Sequence, residues 1–266
     1  MQLSTDKLYR FQPILIAVLS GLLLGWWVFT PAGLLGKADA IGYAVCHRIA
    51  DRSFFIGDRA LPLCSRCSGM YLGALVGFLF QFRLGRRAGL PSRRVQAVLA
   101  VFLLAFALDG INSYLTFFPQ IPNLYPPQND LRLLTGILVG IGMAALLLPT
   151  FHQVVWKNYD DRPAVGSFRQ LGILVGAAGL VALALANENP LLIYPLALLS
   201  VASLVFILTL AYALIWILLL KRDNTFNTWK QLQPVILLAL LTVLVQIIIF
   251  DAGRFALTGT WNGFSF

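Results

Sequence analysis

The chain has 266 residues, of which 59% are hydrophobic and only 12% are charged. A soluble domain carries roughly a quarter charged residues, so this composition excludes an ordinary soluble enzyme or binding domain. The formal charge is +9 at pH 7, but most Lys and Arg lie in loops beside long apolar segments. Such residues set membrane orientation and contact lipid headgroups, so we expect membrane lipids and no nucleic acid as partners.

Several apolar runs exceed the roughly 18 residues that a membrane-spanning helix needs. We therefore predict an all-α fold, a polytopic transmembrane helix bundle of about seven spans. Residues 1–266 are expected to form a single integral-membrane domain. The predicted spans are, in chain order, about Pro13–Phe29, from within Cys64–Gly69 to Phe82, Val95–Thr116, Leu131–Phe151, Gln170–Ala186, Leu191–Leu220 and Pro234–Leu257.

The distribution of Lys and Arg between alternate loops predicts how the chain is oriented. More of them lie before span one and after spans two, four and six than in the other loops. The positive-inside rule then predicts a cytoplasmic amino terminus and an extracytoplasmic carboxyl terminus, in a multi-pass protein of the cell membrane. Residues 36–68 become an extracytoplasmic loop. The first apolar run ends too far before Ala38-Asp39-Ala40 for a cleaved signal peptide, so we expect it to remain a span.

The chemically richest stretch is Cys46–Gly73, which holds all three cysteines and one of the two histidines. Cys64 and Cys67 are spaced C-x-x-C, so at a helix start both sulfurs can converge on one point. Together with Cys46 and His47 they have the spacing of Cys-rich zinc sites. We predict that these four residues bind a metal ion, zinc being the first candidate among thiophilic metals.

Three alternatives stay open for this stretch. Neighbouring Cys46 and His47 do not easily bind one ion together, so an open site with three protein ligands is one of them. Outside the cytoplasm thiols tend to oxidise, so a disulfide from Cys46 to Cys64 or Cys67 is another. A redox dithiol at the C-x-x-C pair is the third, although no thioredoxin-like context surrounds it.

Arginines alternate with these residues, although the sorting rule disfavours basic residues in an external loop. Arg forks suit phosphate and carboxylate groups, and contact with lipid phosphates is the ordinary alternative. Ionisable groups at span ends are also candidates for function, because they are costly in a membrane unless paired or solvated. An Asp251–Arg254 ion pair at one-turn spacing would satisfy both charges without any function. The predicted ligand-binding set is Arg48, Arg66, Asp109, Asn112, Arg132, Asp251 and Arg254.

Glycines recur at four-residue spacing in several spans, a pattern that lets helix backbones pack closely in lipid. We predict close packing at each of these sets. They are Gly21 and Gly25; Gly69, Gly73 and Gly77; Gly136 and Gly140; and Gly172 and Gly176.

The segments CHR at Cys46–Arg48, SFF at Ser53–Phe55 and LPLCSRCSGMYLG at Leu61–Gly73 together resemble a known signature. It is that of an uncharacterised family of predicted bacterial and archaeal multi-pass membrane proteins, a domain of unknown function. The resemblance implies a membrane fold but no reaction.

We expect a metal site on the outer face, adjoining a polar pocket for an anionic small molecule or a lipid headgroup. One alternative is a metal-assisted membrane enzyme acting on a lipid or lipid-linked phosphate, with Asp109 as the candidate general base. Another is a transporter or accessory subunit with a disulfide-stapled loop. The sequence has no Walker-type phosphate loop, which argues against ATP-driven transport within this chain.

Overall fold

The computed structural model describes residues 5–118 and 120–264, so both ends of the predicted domain lie outside the described residues. The helices are α1 (Thr5–Phe29), α2 (Gly33–Val45), α3 (Ser65–Phe82), α4 (Arg93–Leu115), α5 (Asn129–Val155), α6 (Phe168–Ala186), α7 (Pro190–Leu219) and α8 (Trp229–Thr258). The strands are β1 (Phe55–Ile56), β2 (Arg59–Ala60), β3 (Arg87–Gly89) and β4 (Asp160–Pro163). β1 pairs antiparallel with β2, and β3 pairs parallel with β4.

The described residues include six helices that are long and apolar enough to cross a membrane: α1, α4, α5, α6, α7 and α8. The prediction of a polytopic helical membrane protein is confirmed in this form. Helix α3 coincides with the predicted second span and has 18 residues. It is less apolar because it begins in the C-x-x-C motif with Arg66 and ends near a buried Gln81.

Helix α2 is a difference from the sequence analysis, which ended span one at Phe29 and placed most of the α2 residues in the loop 36–68. It has 13 residues, which is too short to cross a bilayer, so span length gave no signal for it. Its middle is buried on all sides, from Gly36 to Ala40, and this includes the charged residues Lys37 and Asp39. The helix ends at Cys46, whose backbone is extended.

The closest helix packing is between α3 and α5, which run parallel. Gly69 and Gly73 of α3 lie directly against the α5 backbone at Leu133 and Ile137. Gly140 of α5 lies in the same way against α3. A Cβ atom at any of these positions would overlap the facing backbone, so the predicted packing of these glycine sets is confirmed.

The packing prediction is wrong for the other two glycine sets. An added Cβ at Gly21 or Gly25 in α1, or at Gly172 or Gly176 in α6, meets no atom within 4 Å. Helix α1 has only 6% of its most apolar window buried, so it lies at the edge of the bundle. A small-residue spacing alone does not tell whether a neighbouring helix is present.

The bundle has two chemically different ends. At one end, which we call the cysteine end, residues 46–67 meet the last turns of α4, α6 and α8. Phe55 N–H there donates to the Glu188 carboxylate, at 3.0 Å. At the opposite end, which we call the basic end, Arg86 donates to the Asn227 carbonyl at 3.0 Å. His152 Nδ1 lies 2.9 Å from the Arg87 carbonyl oxygen, so this histidine is remote from the cysteines.

Candidate metal centre and adjoining arginine pocket

The cysteines converge because two helix ends meet. Cys46 ends α2, Cys64 immediately precedes α3, and Cys67 lies in the first turn of α3. The ligand atoms of Cys46, His47 and Cys64 all lie within 4.8 Å of one another. The Cys67 side chain contacts those of both other cysteines, and all three are free thiols. This cluster is able to hold a metal ion.

Burial and mutual hydrogen bonding set the protonation of the cluster. Hydrogen bonds from the Cys64 and Cys67 side chains lower the pKa of Cys46 well below its ordinary value. The same contact with Cys46, together with burial, raises the pKa of Cys64 to about 12. Burial lowers the pKa of His47, which favours the neutral ring. The cluster therefore offers one thiolate, two thiols and a neutral imidazole. A thiophilic cation binds these donor types once the two thiols have lost their protons.

His47 already uses one ring nitrogen. The Ile49 N–H donates to His47 Nδ1 at 3.0 Å. A neutral ring that accepts at Nδ1 carries its proton on Nε2, so neither nitrogen has a free lone pair in this arrangement. Ligation by His47 therefore requires this hydrogen bond to be given up. The three sulfurs need no such exchange and form the stronger part of the donor set.

Arg254 positions the Cys46–His47 backbone. Its Nη1 donates to the carbonyl oxygens of Tyr43 and Cys46, both at 2.7 Å. Its Nη2 donates to the His47 carbonyl at 3.3 Å, and its guanidinium lies 4.0 Å from the Tyr43 ring centroid. These donors are committed to the protein. The Asp251–Arg254 ion pair considered from the sequence is not formed.

The carboxyl-terminal segment also covers the backbone at His47 and Arg48. Phe264 N–H donates to the His47 carbonyl at 3.0 Å. Gly263 packs so closely on the Arg48 carbonyl that any Cβ there would overlap it. Arg48 itself has φ +52°, the left-handed region that non-glycine residues rarely adopt. The carboxyl-terminal segment and the ion pair between Arg48 and Asp39 stabilise this unusual turn.

Asp39 is a site residue that the sequence analysis missed. It is buried in α2 and forms ion pairs with Arg48, at 2.7 Å, and with Arg59. One carboxylate therefore pairs with two of the loop arginines, and the three groups together keep one positive charge. A single acid among apolar and small residues, close in sequence to several arginines, was the available signal.

Asp109 lies in a polar network between α3, α4 and α5. It is 1% exposed and forms an ion pair with Arg66. Tyr125 Oη donates to its Oδ1 at 3.0 Å, and Thr135 Oγ1 lies 3.5 Å from its Oδ2. Arg66 also donates to Ser113 Oγ at 3.0 Å. The Asp109 carboxylate is satisfied within the protein.

Asn112 organises the Pro-rich connection between α4 and α5. Its Oδ1 accepts from the Leu124 N–H at 2.8 Å, and its Nδ2 donates to the Tyr125 carbonyl at 2.9 Å. The side chain is completely buried. Both ends of the amide are used to hold the backbone of the connection.

An open cavity of about 1170 Å³ lies beside the loop that follows the cysteine cluster, at residues 48–60. Four arginines and three aspartates line it, together with the carboxyl-terminal segment: Arg48, Arg52, Arg59, Arg132, Asp39, Asp51 and Asp58. Arg52 donates to Thr116 Oγ1 at 2.7 Å and forms no ion pair with any described residue. Burial, followed by the charge of Arg66, lowers the pKa of Arg52.

Arg132 is the second arginine of the cavity without a counter-ion among the described residues. It is 5% exposed. It donates to Asn129 Oδ1 at 2.8 Å and to Ser113 Oγ at 3.3 Å, both neutral acceptors. Arg52 and Arg132 are therefore the two cavity arginines that form no ion pair with a described residue, although Asp51 and Asp58 also line the cavity.

The structure separates the predicted ligand-binding residues. Arg48 and Arg132 line the cavity, whereas Arg66 and Asp109 pair with each other behind it. Asp251 is buried between α1 and α8, where its Oδ2 accepts from Trp26 Nε1 at 2.9 Å. Sequence position alone did not show this separation.

Comparison with known proteins supports the membrane assignment. Residues 46–146 match the family model described as "Predicted membrane protein (DUF2085)". An uncharacterized protein of Methanothermobacter thermautotrophicus is 34% identical over 111 residues, which are 42% of this chain and 91% of that protein. The chain belongs to this family. An uncharacterized protein of Methanocaldococcus jannaschii is 29% identical over 122 residues, 45% of this chain and 72% of that protein. No solved structure matches the chain.

The resemblance inferred from the cysteine signature is thereby confirmed. The matched segment begins at Cys46 and includes all three cysteines, Arg66, Asp109 and Arg132. Asp251 and Arg254 lie outside it. The chain is a multi-pass protein of the cell membrane.

Proposed function

We propose that this protein is a membrane scaffold in which a thiophilic metal ion, zinc first among them, stabilises a pocket for an anionic ligand. The observation that supports it most strongly is the cluster of Cys46, His47 and Cys64, beside which Cys67 lies in the first turn of α3. Three soft sulfur donors and an imidazole are a typical donor set of structural zinc. A site closed by protein ligands fixes the loop and leaves no position for a water nucleophile.

The three thiolates would hold the ion, and His47 would complete the site by exchanging its hydrogen bond from Ile49 for the metal. Arg254 and the carboxyl-terminal segment would keep the Cys46–His47 backbone in place for this. Such outer partners typically change metal affinity by about 10–100-fold when they are removed.

The ligand of the adjoining cavity is proposed to carry a phosphate or carboxylate group. Arg52 and Arg132 support this, because both face the cavity region without a counter-ion among the described residues. Planar guanidinium groups bind such anions in paired hydrogen bonds. A lipid headgroup and a free small anion offer the same chemistry.

We further propose the orientation that the positive-inside rule favours, with seven spans in one integral-membrane domain. α3 would be the seventh span, and the amino terminus would be cytoplasmic. The cysteine end, with residues 36–68, would then be extracytoplasmic. The parallel course of α3 and α5, with α4 between them in the chain, agrees with α3 crossing the membrane in the same direction as α5.

The enzymatic alternative gains no support from the position of Asp109. A general base has to reach the substrate, and this carboxylate is ion-paired with Arg66 and buried away from the cavity lining. No observation favours the transporter or accessory-subunit alternative.

Elemental analysis of the purified protein tests the metal centre. We expect near one equivalent of zinc or another thiophilic metal per chain, lost in Cys64→Ser and Cys67→Ser. His47→Gln should retain metal but release it to a chelator about 10–100-fold more readily. His152→Gln, which changes the histidine at the basic end, is the matched control and should behave as wild type. Metal-free wild-type protein with an oxidised cysteine pair would refute the metal centre and favour the disulfide.

A further inference from the structure

A second cavity of about 450 Å³ lies between α1 and α8, away from the arginine pocket. Gly21, Gly25 and Trp26 of α1 line it, with Asp251 of α8 and the ring of Trp261. The space exists because neither glycine contacts another element: a Cβ at either position meets nothing within 4 Å. We call this cavity the α1–α8 groove.

Asp251 is the only charged residue among those that line the groove. It is 3% exposed, and its Oδ1 has no hydrogen-bond partner among the described residues. Arg254, one turn further along α8, donates through Nη1 to the carbonyl oxygens of Tyr43 and Cys46. A carboxylate oxygen inside a largely apolar cavity is costly unless a donor or a counter-charge reaches it.

We propose that the α1–α8 groove binds an amphiphile that carries a protonated amine on a compact apolar body. The ammonium group donates to Asp251 Oδ1, and the apolar body fills the space over Gly21 and Gly25. A carboxylate only accepts hydrogen bonds, so an ammonium supplies the missing donor and the counter-charge together.

The ligand reaches the groove from the bilayer. Helix α1 lies at the edge of the bundle and most of its side chains are exposed. The lining is apolar apart from Asp251 and Thr30, which suits a ligand that partitions into lipid before it binds. This inference rests on residues outside the metal centre and stands or falls separately from it.

Equilibrium binding of 1-aminoadamantane and its neutral analogue 1-adamantanol to the full-length protein in lipid nanodiscs tests the proposal. A charge-assisted hydrogen bond contributes enough that we expect saturable amine binding at least about tenfold tighter than alcohol binding. Equal affinities for the two probes, or no saturable amine binding, would overturn the proposal.

Two variants and a control locate the site. Asp251→Asn removes the charge, and Gly25→Leu fills the groove where the structure has free space. Each should weaken amine binding at least about tenfold. Gly172→Leu places the same side chain on the open face of α6 and should leave amine binding unchanged. If Asp251→Asn does not fold, Gly25→Leu still decides the matter, and amine binding that survives it contradicts the assignment.

Discussion

The contact between α3 and α5 gives a stability prediction that can be worked out from distances. A Cβ at Gly140 would stand 2.9 Å from the Met70 carbonyl carbon and 2.7 Å from the Ala74 nitrogen. Carbon atoms in contact normally stay about 3.5–4.0 Å apart, so Gly140→Ala must move the helices apart by on the order of 0.6 Å or more. Overpacking of this kind typically costs about 1–3 kcal/mol.

The control is Gly176→Ala in α6, where an added Cβ meets nothing within 4 Å. Both variants gain the same helix propensity, roughly 1 kcal/mol, so the difference between them isolates the clash. We expect Gly140→Ala to be less stable than Gly176→Ala by about 1–3 kcal/mol, measured as the free energy of unfolding by SDS in mixed micelles. Equal stabilities of the two variants would refute the close backbone contact.

Two further predictions concern the cavity and the orientation. Native mass spectrometry should find wild-type protein retaining phosphatidylglycerol over phosphatidylcholine, with retention reduced at least about tenfold in Arg52→Gln or Arg132→Gln and unchanged in Arg169→Gln. Unchanged lipid retention in all three variants would refute the anion site. Loss of the lipid in the presence of inorganic phosphate would identify a free anion, rather than a lipid, as the ligand. A membrane-impermeant maleimide should label Asp58→Cys in intact cells but Lys157→Cys only after lysis. The reverse pattern would place the cysteine end in the cytoplasm.

The membrane helices were predictable because bilayer thickness imposes a length on each apolar run. The C-x-x-C spacing at a helix start predicts that Cys64 and Cys67 converge, and of the two it is Cys64 that joins the cluster with Cys46 and His47. The approach of Cys46 also follows from the spacing of known zinc sites. In these cases a pattern of residues close in sequence determines the geometry.

Lateral packing was not predictable from such patterns. Asp251 and Arg254 are one turn apart, yet one faces Trp26 and the other clamps the backbone at Cys46. Gly21 and Gly140 belong to similar small-residue spacings, but only Gly140 meets another helix. Which helices become neighbours depends on contacts between residues that are distant in sequence. The spacing of residues within one helix does not indicate such contacts.

The charged residues at the cysteine end fall into two groups that argue for different roles. Arg66 and Asp109 neutralise each other, and Arg254 donates through both of its Nη atoms to backbone carbonyls, so these three stabilise the fold. Arg52 and Arg132 form no ion pair with a described residue, although Arg132 is only 5% exposed and burial of a charge near a membrane is expensive. A stabilising role does not explain that expense, because neutral side chains could make the same hydrogen bonds to Thr116 and Asn129. A ligand of opposite charge in the cavity would supply the ion pair that these two arginines lack.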